Sequence, residues 1–240
     1  MQNRTKAIVL SKLKYQDHDL IVKCFTLNDG PVSYLLRGVL KSSRGSKKVA
    51  YFQPLSQISI DQSFRANQNL RNIKEVKPTV IYQTLHTDVI KGSIVMFVSE
   101  ILHSVLKEEE PNEDLFEFLE TSFQLLDIEE NFANFHLMFL LKLTKYLGFY
   151  PDTNNGTHNY FNLENGRFEN QEKAYYSISG KNLEILKTLL GTNFEAFPEI
   201  QLSASQRQSF LTMLLLYFEL HLGNFKKPRS LQVFNQIFKK

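Results

Sequence analysis

A change of hydrophobic period at Lys77-Pro78 constrains the fold of this chain more than any other feature. Before it, short segments rich in β-branched and aromatic residues follow one another: Lys6–Leu13, Leu20–Leu27, Val32–Leu40, Tyr51–Asp61 and Leu70–Val76. Such residues suit a pleated, half-buried surface. The separators are turn chemistry: Tyr15–Asp19, Asn28-Asp29-Gly30-Pro31, and the stretch Lys41–Ala50. Asn28-Asp29-Gly30 predicts a hairpin, because glycine tolerates the positive φ of tight turns. Pro54 inside the fourth segment predicts an edge, a bulge or a late strand start. Five strands without helical periodicity between them predict a small closed barrel of the SH3-like or OB type.

After Pro78 the apolar residues recur at helical spacing. Thr79–Lys107 predicts one helix, or two if Gly92 breaks it, and Pro111 stops it. Asn112 predicts the cap of a helix with Glu113 and Asp114 in its first turn and a buried stripe of Leu115, Phe118, Leu119, Phe123 and Leu126. Asn131–Leu147 and Ser203–Leu222 are apolar almost all round, which predicts two central helices of a bundle. Ser203 with Gln206 forms a capping box. Shorter helices are predicted at Lys181–Leu190 and Ser230–Phe238. Between them, about 149–176, lies an irregular insertion. Its Asn165-Gly166 predicts a two-residue hairpin with Leu163 opposite Phe168 and Glu164 opposite Arg167. The expected fold is α+β and multidomain: a barrel over 1–78, then an all-α bundle over 79–240 with a small hairpin insertion.

Charge divides the chain at the same point. Residues 1–78 hold 14 Lys and Arg against 5 Asp and Glu, whereas residues 79–240 hold 14 against 20, so a net charge of +3 conceals opposite balances. A basic unit of this size is a candidate polyanion binder. The longest apolar run, Met213–Phe218, is far short of the roughly 20 residues that span a bilayer, so no membrane association is expected. Met1–Thr5 leads into a strand-like segment without an apolar signal region, which predicts a cytoplasmic protein. The single cysteine, Cys24, excludes an intramolecular disulfide and a cysteine-rich zinc site.

The strongest constellation is Lys41-Ser42-Ser43-Arg44-Gly45-Ser46-Lys47-Lys48, four positive charges among small polar residues. Lys12, Lys14, Arg37, Arg65, Arg71 and Lys74 sit in or beside strands, with Tyr15, Tyr34, Tyr51, Phe52 and Phe64 interleaved. Cations for phosphate and rings for base stacking are how OB folds hold single strands. Asp17-His18-Asp19 raises the possibility of a metal-dependent nuclease, but no further acidic cluster in the basic part completes a two-metal site, and turn chemistry explains both aspartates. His86, His103, His136, His158 and His221 show no paired-ligand spacing. Gly-rich phosphate loops and nucleophile elbows are absent. No catalytic residue, cofactor, metal or small-molecule substrate is expected.

The segment KAIVLSKLKYQDHDLIVKCFTLNDGPVSYLLRGVLKSSRGSKKVAYFQPL, followed by NLRNIKEVKP, resembles the bacterial RecO family of recombination mediators. LTKYLGFYPD (Leu143–Asp152) and FNLENGRF extend the resemblance over essentially the whole chain. The resemblance implies an N-terminal OB fold that binds single- and double-stranded DNA; from charge and ring placement, the contacts are expected from Lys12, Lys14, Tyr15, Arg37, Lys41, Arg44, Lys47, Lys48, Phe64, Arg65 and Arg71. It also implies non-enzymatic strand annealing and loading of RecA onto DNA coated with single-strand-binding protein, together with RecR, in the nucleoid. The family binds the C-terminal tail of single-strand-binding protein on the helical part; Lys142, Lys145 and Arg207 are the candidates here. Many members carry a four-cysteine zinc motif after the Pro-Asp. Asp152–Gly166 contains no cysteine, so zinc is not carried over and packing must hold the hairpin. An OB-fold RNA-binding or translation-associated protein is the alternative that the same basic face allows.

Overall fold

The computed structural model describes residues 4–41, 48–63, 70–107, 110–172 and 175–238. Contacts divide the chain into two compact units, Met1–Ile128 with Pro228–Ser230, and Glu129–Lys227 with Leu231–Lys240.

In the first unit, β1 (Arg4–Tyr15), β2 (Asp19–Thr26), β3 (Gly30–Leu36), β4 (Gln57–Ser63) and β5 (Arg71–Pro78) close an OB-like barrel in the order β1-β2-β3-β5-β4. β1 also pairs with β4, and the β3–β5 ladder is parallel, with Tyr34 beside Arg71 and Leu35 beside Asn72. The strand at Pro54 starts late: Ala50–Phe52 forms a 3-10 turn, Leu55 takes φ 62°, and β4 begins at Gln57. Leu55 N–H donates to the Val9 carbonyl at 2.7 Å, at the bulge in β1.

The barrel interior holds Val9, Val22, Cys24, Tyr34, Phe52, Ile58 and Ile60, all essentially without solvent exposure. Burial pushes the Cys24 thiol up, so it remains protonated. On β1 the alternate residues Ile8 and Leu10 are buried as well, because two helices cover that side. These are α1 (Val89–Val105) and α2 (Glu113–Ile128). His103 of α1 hydrogen-bonds Ser11 at 3.0 Å, and Lys23 donates to the Leu106 carbonyl just past its end. From α2, Glu120 pairs with Lys6 at 3.0 Å, and Phe116 meets Phe25 at a centroid distance of 6.0 Å. Replacing Phe25 by Ala would cost about 3–5 kcal/mol in lost burial and cavity.

Residues 79–88 are not helical, contrary to the expectation over Thr79–Lys107. Asp127, at the end of α2, accepts from the N–H groups of Gln83, Thr84 and Leu85, which holds that segment in an irregular turn. Burial raises the Asp127 carboxyl, but the three donors outweigh it and the net shift is downward. Asp88 then caps α1 by accepting from Ile90 and Lys91, and the helix runs unbroken through Gly92. On α2, Leu115 N–H reaches the Asn112 side chain at 2.9 Å as expected, while Phe116 rather than Phe118 is the more deeply buried.

The second unit is built on α3 (Phe135–Tyr146) and α5 (Ala204–His221), with α4 (Gly180–Leu190) and α6 (Leu231–Ile237). Residues 135–141 of α3 are all buried, and Ser203 and Gln206 close the capping box of α5. The hairpin differs in register from the expectation. β6 (Tyr160–Asn162) and β7 (Arg167–Glu169) place Phe161 opposite Phe168 and Asn162 opposite Arg167. The Asn162 side chain accepts from Glu164 N–H, drawing Leu163–Gly166 into a four-residue turn instead of a two-residue one. A third strand, β8 (Ser177–Ile178), pairs with β6.

Packing holds this small sheet. Phe161, Leu163 and Phe168 are buried, Tyr217 donates to the Phe149 carbonyl at 2.8 Å, and His221 hydrogen-bonds the Leu163 carbonyl at 2.9 Å. His221 also stacks on Phe149 with centroids 5.1 Å apart. A zinc ion does not fit the hairpin: the single cysteine lies inside the barrel, and the described residues hold no cluster of three or more metal-ligating side chains.

Candidate nucleic-acid interface

With α1 and α2 on one side of the barrel, the end formed by the β1–β2 turn and the β3–β5 seam carries exposed residues among those described. β1 and β2 extend past the core as a ribbon in which Lys12 pairs with Val22, Leu13 with Ile21, Lys14 with Leu20 and Tyr15 with Asp19. Residues 12–18 are all exposed. Asp19 turns back to accept from Gly38 N–H at 2.7 Å, and Leu40 N–H donates to the His18 carbonyl. Gly38 has φ 63°, a left-handed conformation that suits a residue without a Cβ. These bonds stitch the β1–β2 turn to the turn after β3, so that Lys14 and Tyr15 lie on the same end of the barrel as Arg37 and Lys41. Asp19 is thereby occupied as a turn residue, and Asp17 stands exposed beside it.

Around the β3–β5 seam a cleft of about 440 Å³ is lined by Leu35, Arg37, Lys48, Asn72 and Lys74, among others. Lys12, Lys14, Arg37, Lys41, Lys48 and Lys74 are exposed, and none pairs with a carboxylate among the described residues. Positive charge concentrated at one end of a fold, without internal neutralisation, attracts polyanions. Arg71 is different. Its side chain is only 21% exposed, and its guanidinium donates to Asp29 at 2.8 Å and to Gln62 at 3.2 Å. Arg44, Lys47, Phe64 and Arg65 lie outside the described residues.

Of the interleaved aromatics, Tyr34 and Phe52 are core residues without exposed surface, whereas Tyr15 is 41% exposed. The sequence reading overlooked Leu13, Ile21 and Leu35, which lie side by side on the outer face. For Ile21 and Leu35 the signal was present in the alternation, since each sits between two buried residues; Leu13, between exposed Lys12 and Lys14, is placed beside them only by the strand register.

In the second unit, Lys142 Nζ lies 5.9 Å from the centroid of the Tyr150 ring, and burial lowers its pKa, with Lys145 adding to the effect and Glu195 opposing it. Lys145 is exposed one turn further on. Arg207 lies elsewhere, in a cleft of about 470 Å³ with Asn131, Asn134 and Ser203, donating to the Leu202 carbonyl at 2.6 Å. The three candidates therefore divide between two places. Among the described residues no helix is long and apolar enough to cross a membrane.

The fold and this surface define a class: an OB-like barrel protein with an exposed, cationic barrel end and a helical second unit. The family model described as Recombination protein O N terminal matches residues 1–82, and that described as Recombination protein O C terminal matches residues 86–231. The chain belongs to the RecO family. It is 49% identical over 234 residues to the DNA repair protein RecO of Christiangramia forsetii, covering 98% of each chain. It is 44% identical over 238 residues to the DNA repair protein RecO of Flavobacterium psychrophilum, covering 99% of this chain and 100% of that one. The namesake in Porphyromonas gingivalis is 28% identical over 240 residues, with 98% of each chain covered. The family expected from the sequence is the family found.

Proposed function

We propose that this protein is a non-enzymatic, cytoplasmic mediator of DNA repair and recombination that captures DNA on the exposed, cationic end of its barrel. The observation that carries the reading is the set of exposed cations without carboxylate partners among the described residues, gathered by the Asp19–Gly38 hydrogen bond. Lys12, Lys14, Arg37, Lys41 and Lys48 hold phosphates, and Arg44, Lys47 and Arg65, outside the described residues, join them on the strength of their charge. Tyr15 and Phe64 offer rings to bases. Arg71 acts at one remove, holding the barrel that presents them. Such contacts neutralise the backbone of single or double strands alike.

Membership of the RecO family supports the finer roles: annealing of complementary strands, and loading of RecA onto DNA coated with single-strand-binding protein, in concert with RecR. The change of charge balance at residue 78 supports this reading, with the basic barrel for DNA and the acidic remainder for protein partners. Lys142, Lys145 and Arg207 are the proposed contacts for the tail of single-strand-binding protein; Lys142 and Lys145 are near neighbours on α3, and Arg207 makes a separate contribution. The direct test is fluorescence anisotropy of the full chain with labelled single-stranded DNA, duplex and RNA of matched length across a salt series. Salt-sensitive binding of both DNA forms supports the reading. Binding confined to RNA assigns the same face to an RNA-binding role instead.

A further inference from the structure

We propose that the outer row Leu13–Ile21–Leu35 is a seat for unpaired bases and makes the barrel end favour single-stranded over double-stranded nucleic acid. This rests on the nucleic-acid reading above and adds a selectivity to it. The strand register sets Leu13 opposite Ile21, Ile21 opposite Leu35, and Leu35 beside Asn72. Side chains directly opposite on one face stand about 4.5–5.5 Å apart, so the three form a continuous apolar rung. Leu13 is 65% exposed, and Ile21 and Leu35 are half-buried.

A lone exposed leucine is ordinary on a protein surface. A row across three strands that ends in a cationic cleft is a different arrangement. Arg37, Lys48 and Lys74 share the cleft with Leu35, while Lys12 and Lys14, one residue either side of Leu13, stand on the opposite face of the exposed ribbon, in register with Val22 and Leu20. Of the nearby carboxylates, Asp19 is bound to Gly38 N–H, and Asp17 lies in the β1–β2 turn beyond the rung.

Charge complementarity selects the occupant: a polyanion that also carries flat apolar faces. In a duplex those faces are hidden in the stack and only phosphates and groove edges meet the protein. In a single strand they are free to lie on the rung while the phosphates reach the neighbouring ammonium and guanidinium groups, an arrangement in which base contact is sequence-tolerant. The cations serve both forms of DNA; the rung rewards one.

The test uses the full-length protein and three variants, Leu13→Ser, Ile21→Thr and Leu13→Tyr, each checked for an unchanged melting temperature. Binding to a labelled mixed-sequence single strand and to a duplex of the same length is measured at one salt concentration. Leu13→Ser and Ile21→Thr are expected to weaken single-strand binding about fivefold, roughly 1 kcal/mol, and to leave duplex binding unchanged, while Leu13→Tyr retains or tightens single-strand binding. Equal losses on both ligands, or no loss on the single strand, overturn the proposal. A changed oligomeric state on sedimentation with unchanged affinity would assign the rung to a contact between copies, and equally overturns it. If the parent protein ignores both ligands even in dilute buffer, the nucleic-acid reading itself fails; if the parent binds and the variants match it, only the rung fails.

Discussion

Arg71 donates to the Asp29 carboxylate at 2.8 Å, linking the start of β5 to the β2–β3 turn. Gln62 of β4 donates to the same carboxylate oxygen at 2.9 Å, and the buried Tyr34 hydroxyl donates to Gln62 at 2.8 Å. Burial, more than its charged neighbours, pushes the Tyr34 phenol up. Four side chains from three strands and a turn thus converge where the barrel is closed by the short parallel ladder of Tyr34–Arg71 and Leu35–Asn72. Closure there depends on side chains because few backbone bonds are available.

Arg71→Ala should therefore lower stability by about 1–3 kcal/mol, since it leaves Asp29 with one donor fewer in a half-buried site. Chemical denaturation reads this directly. Single-strand affinity at a temperature where both proteins are folded should hold within about twofold. Lys48→Glu should do the reverse, weakening DNA binding several-fold with little effect on the denaturation midpoint.

Binding to single strands should follow a log–log salt slope of at least about −4 in magnitude if the six exposed cations Lys12, Lys14, Arg37, Lys41, Lys48 and Lys74 each meet a phosphate, at roughly 0.7 per contact, and a steeper one as Arg44, Lys47 and Arg65 add theirs. Removing any one of them should reduce the slope by about 0.7 and lower affinity for all sequences alike. A slope near zero would leave the cations without a role in binding.

Local chemistry made much of this legible from residues alone. Alternation and turn residues gave five strands, and Ser203 with Gln206 located the start of α5. What escaped was long-range. Nothing near Thr79–Asp88 announces that Asp127, some forty positions later, takes its backbone donors and prevents a helix. The hairpin register was missed because Asn162, rather than Asn165-Gly166, governs the turn. At the interface, cations were easy to nominate by charge, but only the fold separates the exposed Arg37 from the engaged Arg71.

Gly30 should tolerate no side chain. It has φ 65°, and a Cβ there would stand 2.2 Å from the Glu110 carbonyl oxygen, a backbone atom that cannot swing aside. The left-handed conformation alone costs a non-glycine residue roughly 1–2 kcal/mol. Gly30→Ala should exceed that figure in a urea titration, because the loop after α1 must also move. Gly92→Ala is the control: its Cβ would meet nothing within 4 Å, and α1 should gain slightly from the better helix former.

His136 gives the second unit an acid limit. It is buried against Phe234 and Phe238, at centroid distances of 4.9 and 5.2 Å. Burial, reinforced by the nearby Arg207 guanidinium, pushes its pKa from 6.5 down to about 3. The folded protein therefore holds a neutral imidazole, while the unfolded chain binds a proton below pH 6.5. The stability this residue contributes is intact above pH 6.5, falls as the pH drops below it, and stops falling near pH 3. At pH 4.5 the loss amounts to something on the order of 2–3 kcal/mol. His136→Leu keeps an apolar side chain in the site and removes the titration. Its urea midpoint should fall less than that of the parent between pH 7.5 and 4.5, and parallel curves for the two proteins would show that the imidazole is protonated inside the fold.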